Sequence, residues 1–183
     1  MTKGITLPNF PSTAGKDLYN YHFETWKHYV FPDNLRGLLN LGFIFSIAFQ
    51  PLPVGIAEAS KTVNPLGNVL GLAPEFGDHV WMEYDISWLS GLNDDLVHSM
   101  AMDITDSILQ YSKTTYAGVL PSHYQTGDVE EVSYNPIFLN DAMYDQKPLE
   151  SYGQATYDRL KRIQQAYDPS GLFPSRTSGF KFT

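Results

Sequence analysis

The sequence predicts an α+β fold, an antiparallel β-sheet with helices packed on one face. Three observations carry this. The run His79–Trp88 alternates, with Val80, Met82, Tyr84, Ile86 and Trp88 on one side and His79, Trp81, Glu83, Asp85 and Ser87 on the other, as successive strand side chains do. The run after it, from Asn93 to about Ser112, switches to helical spacing, with Val97, Met100, Ala101, Ile104 and Ile108 along one stripe. The whole chain reads in the order helix, strand, strand, helix, strand, helix, which suits an antiparallel sheet covered by helices.

Each element has its own signal. Met1–Ser12 holds two prolines and little periodicity, so it reads as an extended or poorly ordered N-terminal arm ahead of a single domain over 13–183. Ser12 or Thr13 caps a helix to about Val30, with Leu18, Tyr21, His22, Thr25 and Tyr29 on one face. Phe31-Pro32-Asp33 breaks it, and a short helical stretch near Asn34–Leu41 leads into GFIFSIAFQPLP. That segment reads as a buried strand ending at Pro51, where a ladder donor is no longer needed. Ala57–Pro74, with GNVLGL inside it, reads as a loop. Its glycine spacing matches neither a Walker loop nor a dinucleotide fingerprint.

Asn93, Asp94 and Asp95 cap and charge the helix after Gly91. Gly118–Asp128 is a loop, Ser133–Asn140 an extended piece, and Ser151 the cap of a final helix with Thr156, Leu160, Ile163 and Tyr167 on its buried side. Asp168-Pro169 stops that helix, since the residue before proline is pushed out of the helical region. Ser170-Gly171 turns the chain, and Leu172 and Phe173 are expected to bury behind the turn.

Composition narrows the function. At 183 residues with 43% hydrophobic and 14% aromatic residues, the chain holds enough apolar mass for one sizeable core. A net charge of −8 with no basic stripe argues against nucleic acid and anionic lipid surfaces. The absence of cysteine removes disulfides, thiolate metal sites and a Cys-linked flavin from this chain. The first residues lack the apolar core of a signal peptide, and Leu38–Phe49 is shorter than the roughly 20 residues a membrane helix needs. The expectation is a cytoplasmic protein that contacts no membrane.

The residues best placed for chemistry share one strand face. Glu83 and Asp85 lie two residues apart, about 7 Å along a strand. Such a pair can keep one carboxyl protonated, which suits acid–base work, and His79 is the alternative base because it titrates near neutrality. Trp81 would stack on an apolar ligand. Gln50, at the end of the preceding strand, could orient a carbonyl. The competing reading of this face is an ordinary polar strand surface turned to solvent. His22 and His28 are six apart, not the three or four that aligns two ligands on a helix, so no metal site is expected.

Several pieces, in order, carry a resemblance: AFQPLP, GNVLGL, the strand ending at Trp88, NDDLVHSMAMDITDSI, FLNDAM, SYG at Ser151–Gly153, RLKRIQQAYDPSGLF and SGFKF. From about Phe43 to Phe182 the chain resembles the later substrate domain and C-terminal segment of the berberine bridge enzyme-like, FAD-linked oxidoreductases of fungi. The resemblance implies an antiparallel sheet with helices outside and an uncovered face looking onto substrate. It implies that Phe138 and Asn140 line that site, where the family has Tyr-x-Asn. Phe138 cannot donate the phenol's hydrogen bond, and Ser178-Gly179 stands where paired glycines are usual. Nothing here resembles the flavin domain's Gly-rich loop or histidine, so no cofactor is expected on this chain.

What the resemblance implies is a flavin-free tailoring enzyme of secondary metabolism, a cyclase, isomerase or pericyclase acting on an apolar natural-product intermediate. The alternatives are a non-catalytic subunit and a truncated part of an FAD-linked oxidoreductase. The expected partners are that small molecule and either a second copy of the chain in a homodimer or a separate flavoprotein chain.

Overall fold

The computed structural model describes residues 1–30, 42–125 and 134–182. The short helix expected near Asn34–Leu41 lies outside the described residues. The sheet has three strands, β1 (Thr2–Pro8), β2 (Ile44–Leu52) and β3 (His79–Ser87). Their spatial order is β1-β3-β2, with both neighbours antiparallel to β3. The helices are α1 (Ser12–Val30), α2 (Val54–Val63), α3 (Asp94–Thr115), α4 (Pro148–Ser151), α5 (Gln154–Tyr167) and α6 (Leu172–Arg176). The α+β reading of the sequence therefore holds. Among the described residues no helix is long and apolar enough to cross a membrane.

The central strand organises the core. Val80, Met82, Tyr84 and Ile86 are buried on the side that α1 and α3 cover, with Val97, Met100, Ala101, Ile104 and Ile108 of α3 packed onto them. Each such buried Val, Ile or Met side chain contributes roughly 1.5–3 kcal/mol relative to an exposed one. Leu18 and His22 of α1 complete this layer. The Tyr84 hydroxyl pairs with His22 Nε2, and burial drives the His22 pKa down to about 3, so the ring stays neutral.

Four expectations are corrected. The N-terminal arm is the edge strand β1: Ile5 and Leu7 turn into the core opposite Met82 and Val80. The β2 segment is an edge strand rather than a buried one, with Ile44, Ser46, Ala48 and Gln50 exposed. Its proline, Pro51, suits that place, because an edge has no second ladder to feed. The expected loop Ala57–Pro74 begins as helix α2. Its Ala- and Glu-containing run favours helix, and the Asp78 carboxylate accepts the Val54 N–H at 2.8 Å.

The fourth correction concerns the C-terminus. The chain forms a four-residue turn of helix at α4, reverses at Gly153 with φ +90°, and only then enters α5, so Ser151 caps nothing. Along α5 it is Tyr157 that is buried, while Ile163 and Tyr167 lie exposed. The stop at Asp168 falls where the sequence places it, but the Asp168 carboxylate caps α6 by accepting the Leu172 and Phe173 N–H groups at 2.8 and 2.9 Å. The turn is fixed by those bonds, and Leu172 and Phe173 remain 53% and 64% exposed. Phe173→Ala is accordingly expected to leave the thermal midpoint nearly unchanged, within about 0.5 kcal/mol, as surface changes usually do. A drop of several degrees would show that the ring packs.

Candidate functional site

The face of the sheet opposite the helices carries Thr2, Gly4 and Thr6 of β1, His79, Trp81, Glu83 and Asp85 of β3, and Ser46, Ala48 and Gln50 of β2, in rows set by the register. Residues 134–141 cross one end of it. Pro136 anchors the crossing: its carbonyl accepts from Thr6 Oγ1 and from Trp81 Nε1, each at 2.6 Å. Phe138 then stacks on the Trp81 ring at 4.8 Å and 15°. A 3₁₀ turn, Leu139–Asp141, follows over β1.

This crossing divides the sequence-derived residues. His79 and Trp81 are buried beneath it. His79 donates from Nδ1 to the Gly77 carbonyl at 3.0 Å and meets Tyr134 edge-on. Burial lowers its pKa, so it is a neutral structural ring rather than a base open to substrate. Trp81 offers no free face on the Phe138 side, which corrects its reading as a ligand platform: Phe138 is its stacking partner, and the pair holds the crossing down. Gln50 is exposed on the outer strand, beside Trp81 in the register. Asn140 is exposed at the far end and lines a separate depression with Trp88, Asp94 and His98.

Glu83 and Asp85 remain on the uncovered end, and a third carboxylate joins them. Asp141 is buried where the 3₁₀ turn passes over β1. The approach depends on Gly4, which pairs with Glu83. A Cβ at Gly4 would stand 3.0 Å from the Asp141 carbonyl oxygen and 3.2 Å from its Cβ, so a residue without a side chain lets the turn lie this close. Gln146 secures it from the other side by donating to the Gly4 carbonyl at 2.7 Å. Asp85 accepts from Thr2 Oγ1 at 2.8 Å.

The electrostatics follow. Desolvation raises the Glu83 pKa first, and the charges of Asp141 and Asp85 push it further. Desolvation and the Asp85 charge raise Asp141 as well. Two carboxyls are thus biased toward holding a proton beside a third, an arrangement able to give and take protons. Among the described residues, no group of three or more His, Asp and Glu side chains is placed to hold a metal ion. The sequence reading missed Asp141, although it lies next to Asn140 in FLNDAM. Only the fold of 134–141 across β1 brings it to Glu83.

The pH dependence has a definite sign. Glu83 sits above its ordinary value of 4.5 in the folded chain, so its contribution is fully present below that value and is lost as pH rises through the folded pKa. Relative to Glu83→Gln, the unmodified chain is expected to gain stability as pH falls from neutral, with the gain complete below 4.5. Parallel thermal melts across pH check this. A pH-independent difference would show that Glu83 titrates normally.

Among the described residues, fold and face together define a helix-backed antiparallel sheet with an acidic patch on the side that the helices leave uncovered. In comparison with known proteins, the chain is similar to fungal FAD-dependent enzymes. It is 26% identical over 161 residues to an FAD-dependent monooxygenase of Arthrobotrys oligospora, covering 86% of this chain and 26% of that protein. It is 31% identical over 182 residues to the oligopeptidase PhomG' of Diaporthe leptostromiformis, 98% of this chain but 13% of the relative. With the bifunctional solanapyrone synthase of Alternaria solani it shares 26% identity over 133 residues, 73% of this chain and 22% of the synthase. The chain thus spans about a quarter or less of these relatives' length. No family model matches, and no solved structure does.

Proposed function

We propose that this chain is the substrate-side portion of a tailoring enzyme of fungal secondary metabolism, of the berberine bridge enzyme-like class, and that it moves a proton on an apolar natural-product intermediate. The carboxyl cluster of Glu83, Asp85 and Asp141 carries this reading: Glu83 is pushed toward its protonated form on a sheet face left open on the β2 side. A carboxyl in that state donates a proton to a carbonyl or alkene, and the neighbouring carboxylate accepts one from an adjacent carbon. The product of such a step is an isomer of the substrate. The relatives support the tailoring role, since they include FAD-dependent monooxygenases and a solanapyrone synthase.

The FAD-dependence of those relatives favours a second reading, in which this portion shapes the substrate for a flavin held elsewhere, on this chain's own continuation or on a flavoprotein partner. The two separate by experiment. The intermediate that accumulates when the coding gene is deleted in its host is incubated with the purified chain, with and without FAD. An isobaric product formed without flavin, and lost in Glu83→Gln, supports proton transfer. A product two hydrogens lighter, formed only with FAD or with a flavoprotein added, supports the second reading and sinks the first.

A further inference from the structure

Where β1 ends, a cavity of about 410 Å³ opens between that strand and the last turns of α3. That volume is in the range of small-molecule sites. Phe10, Leu109, Tyr116 and Val119 give it apolar walls, and those walls are held in place. The Phe10 and Tyr116 rings lie 5.2 Å apart, and the Tyr116 hydroxyl donates to the Asp17 carboxylate. The Val119 N–H donates to the Tyr116 carbonyl at 2.9 Å, across a turn in which Gly118 takes a φ of +77°, open chiefly to glycine.

Two polar atoms in this lining have no protein partner and are not sealed off. Among the described residues, the unpaired side-chain atoms with no surface of their own are His22 Nδ1, Asn135 Oδ1 and the Tyr152 hydroxyl. Ser112 Oγ and His79 Nε2 also lack a hydrogen bond but are not among these, so each keeps surface that a small molecule can reach. Ser112 is 6% exposed and stands four residues beyond Ile108 on the buried stripe of α3, so its side chain points toward the sheet, into the cavity it lines. His79 is 2% exposed, and its Nδ1 donates to the Gly77 carbonyl, which leaves Nε2 a bare acceptor. His79 also borders a space of about 10 Å³ beside α2, room for about one water. Gly77 lines that small space and not the larger cavity. Nδ1 thus takes the α2 side, and Nε2, across the ring, turns to the cavity.

We propose that this cavity binds a neutral polyhydroxylated arene, with one ligand hydroxyl donating to His79 Nε2 and a second ligand oxygen accepting from Ser112 Oγ. The apolar walls take the faces of the ring. A carboxylate in place of the first hydroxyl would set lone pairs against the lone pair of Nε2, so the site selects a donor. His79 here accepts a hydrogen bond and takes no proton, since burial holds its pKa below the ordinary value. The site is distinct from the proton-transfer face, because none of Glu83, Asp85 and Asp141 lines this cavity.

The test titrates 2,7-dihydroxynaphthalene and 2,7-dimethoxynaphthalene into the chain labelled with nitrogen-15 at histidine, and follows the ring nitrogens of His79. The diol is expected to move the Nε2 signal upfield, as an acceptor nitrogen does on receiving a hydrogen bond, with Nδ1 nearly still. The dimethoxy compound keeps the ring and both oxygens but has no donor. It should bind about tenfold more weakly, the scale of a buried acceptor left unpaired, and leave Nε2 in place. Ser112→Ala should weaken the diol about fivefold, the scale of one net hydrogen bond. The same variant should melt no earlier than the unmodified chain, because it removes an unpaired hydroxyl and puts a better helix former in α3. A diol that leaves Nε2 unmoved at millimolar concentration would overturn the site. So would equal affinity for the two compounds, or a Ser112→Ala chain that binds the diol unchanged or melts lower, which would show that the hydroxyl serves the fold.

Discussion

Glu83→Gln is expected to lower turnover about 100-fold or more, the scale on which a positioned general acid or base acts. The substitution keeps side-chain shape and removes the titrating proton. The geometry gives a reason to choose Glu83 over its neighbours. Asp85 is exposed and engaged by Thr2, and Asp141 is enclosed under the 3₁₀ turn. Glu83 lies between them in environment, partly buried and pressed by both charges. Asp85→Asn should therefore act indirectly, relaxing the Glu83 pKa and moving the high-pH limb of the pH–rate profile, where Glu83 loses its proton, to lower pH while sparing much of the rate. Full activity in Glu83→Gln on the accumulated intermediate would leave cavity shape as the catalyst, or place the chemistry elsewhere.

Ile108→Ala is expected to destabilise the chain by about 3 kcal/mol, within the 2–5 kcal/mol typical of large-to-small changes in a packed core. Ile108 is 0% exposed and sits on the α3 stripe that covers the sheet. Neighbours held by both a helix and a strand have little room to collapse into the space left behind. Denaturant titration reads the effect as a shifted midpoint with unchanged slope. A loss under 1 kcal/mol would mean that α3 packs loosely on β3.

The elements legible from sequence were those whose own periodicity was strong. β3 and α3 state their faces residue by residue, and both the core stripe and the outward set of β3 fall where alternation puts them. β1 was not legible because Thr2–Pro8 holds Lys3 and Gly4 among its apolar residues, and its strand form depends on pairing with β3, 83 residues away at Thr2–Asp85. The C-terminal turn misled because apolar residues after a helix stop suggest burial, whereas here the Asp168 carboxylate satisfies the backbone without it. For the candidate site, alternation puts Glu83 and Asp85 on the sheet face opposite the helices, and they lie on that face. It could not foresee that 134–141 would bury His79 and Trp81 or deliver Asp141, since that depends on a long-range crossing. The resemblance to berberine bridge enzyme-like proteins pointed to the Phe138 and Asn140 stretch, and the structure makes it the closing strap of the sheet end.

The strand order β1-β3-β2 also governs how the chain comes together in time. The central strand is the last of the three to leave the ribosome, so neither edge strand has a ladder partner until β3 has emerged. Until then Ile5, Leu7 and the apolar side of β2 stay open to water and to other chains. Pairings of such large sequence separation close long loops before they are rewarded, which slows folding. Nascent or refolding chains are therefore vulnerable to misassembly through these unpaired edges, and Pro8 and Pro51, near the ends of the two edge strands, limit it because proline brings no N–H to a ladder.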